Sequence, residues 1–263
     1  MKEIFIDEIR NIQKAILDRV VAYCEKNHLT YYLCGGTLLG AVRHKGYIPW
    51  DDDIDLMMPR SHYMKLVTHF NEEGLELFSY TSVKDYLLPF SKVADTSTVL
   101  HENGLNDLPI GVNIDIFPLD GFPSEKQQAV KHAKHIFFYR NLIALKRIEP
   151  RPGRKAYKEV LSKIIQLALF PIPAKSLTHK LTKLAMRFPF ETSAYVGNAV
   201  WGYAEKEICS IKAFEQDTMV TFENKSYRAP GNYSEYLSNL FGNYMQLPPE
   251  KDRLTHKIKV YLK

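Results

Sequence analysis

The stretch GGTLLGAVRHKGYIPWDDDIDLMMP, residues 35–59, decides how this chain is read. It opens on a glycine pair, crosses a basic turn, and sets four aspartates within five positions at the edge of an apolar run. In extended backbone alternate side chains share a face, so Asp53 and Asp55 point one way while Ile54 and Leu56 point the other. Like charges this close repel, and a half-buried strand makes them costly unless a cation or water compensates. Hard divalent cations such as Mg2+ or Mn2+ take oxygen ligands, and two carboxylates at this spacing reach the same ion. A merely solvated turn would account neither for Ile54, Leu56 and Met57 nor for the glycines upstream.

Working outward, TYYLCGG (30–36) reads as a short strand running into glycines, and TLLGAV (37–42) as the first turn of a helix. Gly35 and Gly36 allow a backbone to approach a ligand closely, and the following helix offers N–H groups suited to phosphate, with the Thr37 hydroxyl beside them. A glycine pair alone marks an ordinary turn more often than a site; the acidic strand behind it makes it informative. Arg43, His44 and Lys45 lie between the two elements and would balance phosphate oxygens that the carboxylates repel. Lys92, in LLPFSKVAD (87–95), is a further phosphate contact on this reading. Asp115, alternating with Ile114 and Ile116 in GVNIDIFPLD (111–120), is the candidate third carboxylate of a paired-metal site.

Composition bounds the rest. At 263 residues and 45% apolar content the chain can bury a sizeable core. Cys24, Cys34 and Cys209 form no even framework, which points to a reducing compartment, and MKEIFIDEIR does not read as a signal peptide. The expected location is cytoplasmic, with the inner face of the membrane as an alternative. Cys24, His28 and Cys34 suggest a zinc site, but buried structural cysteines are the better account. The net charge of +5 favours anionic partners without choosing among them.

Residues 7–26 repeat Ile9, Ile12, Ile16, Val20 and Cys24 at helical spacing. Ser124 and Gln127 form a capping box ahead of a helix running to about residue 147. Helical pattern continues over 154–188, broken at Pro171 and Pro173. TMVTFENKSYRAP (218–230) resembles a hairpin, and a helix starts near Asn232 with Glu235 at its third position. KIIQLALFPIPAK (163–175) reads best as a core helix, with a segment lying on a membrane as the alternative. The expectation is an α/β, or α+β, fold: a mixed sheet flanked by helices over residues 1–120 and a mainly helical substrate-binding region over 121–263.

CGGTLLGAVRHKGYIPWDDDIDLMMP resembles the signature of the LicD phosphocholine-transferase family, related to the fukutin-type glycan transferases within the nucleotidyltransferase-fold superfamily. PFSKVADTST, VNIDIFPLDGFP and FGNYMQLPPE look like further family segments in the family's order. The resemblance implies a nucleotidyltransferase-like core in which Asp53, Asp55 and Asp115 bind magnesium or manganese, with Gly35 and Gly36 beside the phosphates. Asp51 also matches a family position, for substrate or for support of the metal ligands. The implied reaction moves phosphocholine from CDP-choline, or a related CDP-alcohol phosphate, to a sugar hydroxyl. The implied acceptor is teichoic acid, lipopolysaccharide or another surface glycan, in some cases lipid-linked. Trp50, Trp201, Tyr203 and Tyr233 are candidate members of an aromatic cage for choline. Two other readings remain: a nucleotidyltransferase of the same fold, and a nucleic-acid-binding module. The latter lacks a basic stripe interleaved with aromatics, so no nucleic-acid partner is expected.

Overall fold

The computed structural model describes residues 2–101, 108–146, 156–253 and 259–263. Strand β1 (Lys2–Ile4) leads into helix α1 (Ile6–Lys26), whose buried stripe of Ile9, Ile16, Leu17, Val20 and Cys24 follows the expected helical spacing. β2 (Tyr32–Leu33) ends at the glycine pair, and α2 (Gly35–His44) starts on those glycines. β3 (Asp55–Pro59) and α3 (Arg60–His69) follow, then β4 (Leu75–Phe78), β5 (Ser91–Asp95), β6 (Thr98–His101) and β7 (Asn113–Phe122).

Next come α4 (Lys126–Lys146), α5 (Ala156–Leu169) and α6 (Ala174–Ala185), the last two separated at Pro171 and Pro173 as their rigid rings require. β8 (Tyr195–Gly197), β9 (Cys209–Ser210), the hairpin β10 (Asp217–Phe222) and β11 (Lys225–Pro230), α7 (Tyr233–Phe241) and β12 (Lys259–Leu262) complete the order. The hairpin turns through Glu223 and Asn224, both at positive φ (49° and 66°). Asn232 caps α7 by accepting from the Glu235 amide, as the sequence suggests.

The fold is α+β. A mixed sheet runs β2-β3-β7-β5-β4, and β8 and β9 extend it from the far end of β7. β3 and β7 are parallel and place Asp55 opposite Asp115. β5 runs antiparallel to β7 and places Lys92 opposite the same Asp115. Residue 120, the expected boundary between the two halves, lies inside β7, and its neighbour across the ladder is Gly197 of β8. A smaller sheet, β1-β12-β6, joins the two ends of the chain. Cys24, Cys34 and Cys209 are free and buried.

Two sequence expectations change in form. The ladder of β3 begins at Asp55, so Asp53 lies in the extended lead-in. The expected alternation nonetheless holds there: Asp51, Asp53 and Asp55 are half-exposed, and Asp52, Ile54 and Leu56 are buried. The 163–175 segment, read as core helix, instead exposes Ile164, Leu167, Phe170 and Ile172, because only one side of α5 meets the protein.

Where β3 meets α3, Arg60 reaches Asp120 of β7 through Nε and Nη2 at 2.7 and 2.6 Å, with both side chains buried. Removing one partner strands the other charge away from water. Asp120→Ala is expected to lower the unfolding free energy by about 3–5 kcal/mol in a denaturant titration. A loss below about 1 kcal/mol would class the pair with ordinary surface bridges.

Candidate active site

The acidic segment is held through its backbone, which leaves its side chains to the cleft. The Asp55 amide donates to Thr37 Oγ1 (2.8 Å), the Asp55 carbonyl accepts from the Cys34 amide (3.1 Å), and the Asp115 amide donates to the Ile54 carbonyl (2.9 Å). From α1, Gln13 Nε2 donates to the carbonyls of Asp52 (2.8 Å) and Asn113 (3.3 Å), and Arg10 donates to the carbonyls of Pro49 and Asp51. One buried glutamine thus ties the lead-in of β3 to the start of β7.

The glycine pair does something the sequence alone did not reveal. A β-carbon on Gly35 would lie 2.9 Å from Asp55 Oδ2, and one on Gly36 would lie 2.6 Å from Asp51 Oδ2. Gly35 also takes a positive φ of 53°, which side chains resist. The carboxylates therefore pack directly on the first turn of α2, where the helix presents its positive end.

Asp51, Asp53, Asp55 and Asp115 line one cleft of about 950 Å³, together with Gly35, Gly36 and Arg43. Burial pushes Asp55 well above the ordinary carboxylate range; the charges of Asp53, Asp115 and Asp51 add to the rise, and Lys92 opposes it. Asp115 is raised too, by burial first, against the Lys92 charge and hydrogen bond. Lys92 Nζ lies 2.6 Å from Asp115 Oδ1 and 3.0 Å from Asn113 Oδ1.

The other expected substrate contacts take different places. Thr37 is buried and spends its hydroxyl oxygen on the Asp55 amide. Arg43 faces the cleft but also donates to the carbonyls of Tyr244 (2.7 Å) and Gln246 (3.4 Å), and through Nε to His44 (2.9 Å). Burial, then Arg43, lowers the His44 pKa. Lys45 caps α2 at a φ of 64° with its side chain exposed. Of the candidate cage aromatics, Trp50, Trp201 and Tyr203 line the cleft, and Tyr233 is outside it.

Among the described residues, no three acidic, histidine or cysteine side chains stand in ligating geometry. The donor set still suits a hard cation. It is all oxygen, and mutual repulsion among crowded, half-buried carboxylates is what a divalent ion relieves.

On the wall that carries Trp201 and Tyr203, sequence reasoning missed Glu207, Arg140 and Tyr236. Glu207 closes a 3-10 turn, Ala204–Glu207, and is only 3% exposed. Its Oε1 accepts from the Tyr203 amide (3.2 Å), while Oε2 has no hydrogen-bond partner among the described residues. Burial raises its pKa to about 7, against the Tyr203 amide and Arg140. Arg140, from α4, donates to the carbonyls of Trp201 and Gly202 and stacks 5.3 Å from the Trp201 ring. Tyr236 of α7 accepts from the Gly35 amide (3.2 Å), and Asn243 to Pro249 supply the rim.

A family model described as LicD/FKTN/FKRP, nucleotidyltransferase domain, matches residues 28–149. Residues 28–149 thus match the LicD-family nucleotidyltransferase domain. The match spans the glycine pair, all four cleft aspartates, Lys92 and Arg140, and stops short of Trp201, Tyr203, Glu207 and Tyr236. The LicD lipopolysaccharide cholinephosphotransferase of Haemophilus influenzae is 29% identical over 271 residues, 98% of each chain. An uncharacterized protein of Rickettsia typhi is 40% identical over 55 residues, 20% of this chain and 18% of that one. The resemblance noted in the sequence is thereby confirmed at the level of the family.

Glu207 makes a measurable prediction. Its pKa is raised on folding, so ionising it costs stability. That cost is absent below the unfolded value of 4.5, grows as pH rises toward 7, and is complete above. Glu207→Gln keeps the acceptor for Tyr203 and removes the charge. It should therefore gain on the parent between about pH 5 and 8 by on the order of 3 kcal/mol, read from unfolding at several pH values. A difference that does not change with pH would refute the assignment.

Proposed function

We propose that this protein is a phosphocholine transferase that moves phosphocholine from CDP-choline to a sugar hydroxyl of a cell-surface glycan and releases CMP. The observation that carries the reading is the convergence of Asp53, Asp55 and Asp115 beside the Gly35–Gly36 corner in one cleft. It occurs in a chain similar from end to end to a lipopolysaccharide cholinephosphotransferase. Lipopolysaccharide is accordingly the first acceptor to try, and teichoic acid the second.

The acceptor hydroxyl attacks the phosphorus that bears choline. A new P–O bond forms, the P–O bond to CMP breaks, and the hydroxyl proton passes to Asp115. In this scheme Asp53, Asp55 and Asp115 hold magnesium or manganese, which when bound neutralises charge on the transferring oxygens. Lys92 positions Asp115 through their short ion pair. The first-turn amides of α2 and Arg43 approach the diphosphate.

Choline's quaternary ammonium has no hydrogen to donate, so aromatic faces and a nearby carboxylate must recognise it. The wall with Trp201, Tyr203 and Glu207 has both chemistries. The rings of Trp50 and Trp201 already each face a guanidinium, from Arg253 at 4.9 Å and Arg140 at 5.3 Å.

Product analysis separates this function from its neighbours: CMP release marks transfer of the distal phosphoryl group, and pyrophosphate release from a nucleoside triphosphate marks nucleotidyl transfer. With purified protein, Mg2+ and CDP-choline, CMP release is expected. EDTA should stop it reversibly, and Asp53→Asn or Asp55→Asn should reduce kcat on the order of 100-fold or more without changing the fold. Turnover indifferent to EDTA would overturn the metal role.

Glu207→Gln should raise KM for CDP-choline roughly tenfold and leave KM for the uncharged CDP-glycerol nearly unchanged. Equal effects on both donors would remove Glu207 from choline recognition.

A further inference from the structure

Residues 126–187 contain fifteen lysines and arginines against two glutamates, in a chain whose net charge is only +5. The rest of the molecule is therefore net negative, and the positive charge is concentrated on residues 126–187, a stretch that includes α4, α5 and α6. The same segment carries an unusual surface. On α5, Tyr157, Val160, Leu161, Ile164 and Leu167 recur at three- and four-residue spacing and are all exposed; Phe170 continues the ridge past the helix end. Leu167 is 76% and Phe170 82% exposed. A contiguous apolar ridge of this kind marks an interaction surface.

The ridge points outward because the other side of α5 is tied down. Ser162 and Leu169 are buried. Lys146 of α4 donates to the carbonyls of Leu169 (2.7 Å) and Ile172, and Gln166 Nε2 donates to the Leu145 carbonyl (3.1 Å). Lys163 is exposed one turn from Leu167, and Lys175 is exposed just beyond the Phe170–Pro173 turn.

We propose that this ridge seats the protein on the surface of an anionic lipid bilayer, with α5 lying in the interface and Lys163 and Lys175 among the head groups. The apolar ridge has no counterpart on a nucleic acid, and a second copy of the chain would bring two strongly basic segments together. Crossing the bilayer is disfavoured. Among the described residues no single helix is long and apolar enough, and the bent pair that passes on length and composition needs α6. Leu177, Thr178, Leu181, Thr182 and Ala185 hold α6 in the fold. The proposal does not depend on the reaction assigned to the cleft.

Co-sedimentation of the full chain with vesicles tests it. Binding to phosphatidylcholine mixed with phosphatidylglycerol is expected to exceed binding to phosphatidylcholine alone by roughly tenfold and to weaken with salt. The double variant Leu167→Glu/Phe170→Glu should lose binding by on the order of tenfold or more, with an unchanged melting curve because both side chains are exposed. Lys163→Glu/Lys175→Glu should lose the preference for the anionic lipid. The proposal fails if the parent stays in the supernatant with mixed vesicles, or if the Leu167/Phe170 variant binds undiminished. It also fails if that variant turns a dimer into a monomer on gel filtration without affecting vesicles.

Discussion

The cleft depends on carboxylates resting directly on the first turn of a helix. Asp55 and Asp51 sit against Gly35 and Gly36 at distances that leave no room for a β-carbon. The positive end of α2 therefore offsets part of their repulsion, and Lys92 offsets more through Asp115. The surrounding backbone bonds from Thr37, Cys34 and Gln13 keep the acidic segment from relaxing away from its own charge. Strain of this kind persists only where the structure around it over-determines the geometry.

Much of this was legible in the sequence because it is local. The alternation through 51–56, the helix stripe of α1, the capped start of α7 and the 218–230 hairpin all follow from short-range periodicity and turn chemistry. The pairing of Asp55 with Asp115 was anticipated only as a convergence; the parallel register that produces it is a long-range property. Thr37 and Lys92 read as ligands because their types suit phosphate, and the structure adds that each holds an aspartate in place. Glu207 was illegible. AEKE reads as a solvated charged run, and the residue is buried because its turn, between the short strands β8 and β9, packs against α4 and α7. Strands of two or three residues are too short to announce themselves by period.

α2 serves both ends of the cleft. Its first turn supports the carboxylates, and Arg43 in its last turn grips the carbonyls of Tyr244 and Gln246 on the rim. Tyr236 adds a third tie, since its hydroxyl accepts from the Gly35 amide. A single rigid element thus sets the distance between the acidic floor and the wall supplied by the last part of the chain, and a shift of one would be felt by the other.

The small sheet has a consequence for how the chain comes together. β12 lies between β1 and β6 and pairs with both, Lys2 opposite Leu262 and Thr98 opposite the same residue. During synthesis β1 keeps an unsatisfied edge until residues 259–262 have left the ribosome. Ribosome-bound chains would then be more prone to edge-to-edge association than the finished protein, and the β1-β12-β6 seam would close only after the strands of the larger sheet have been made.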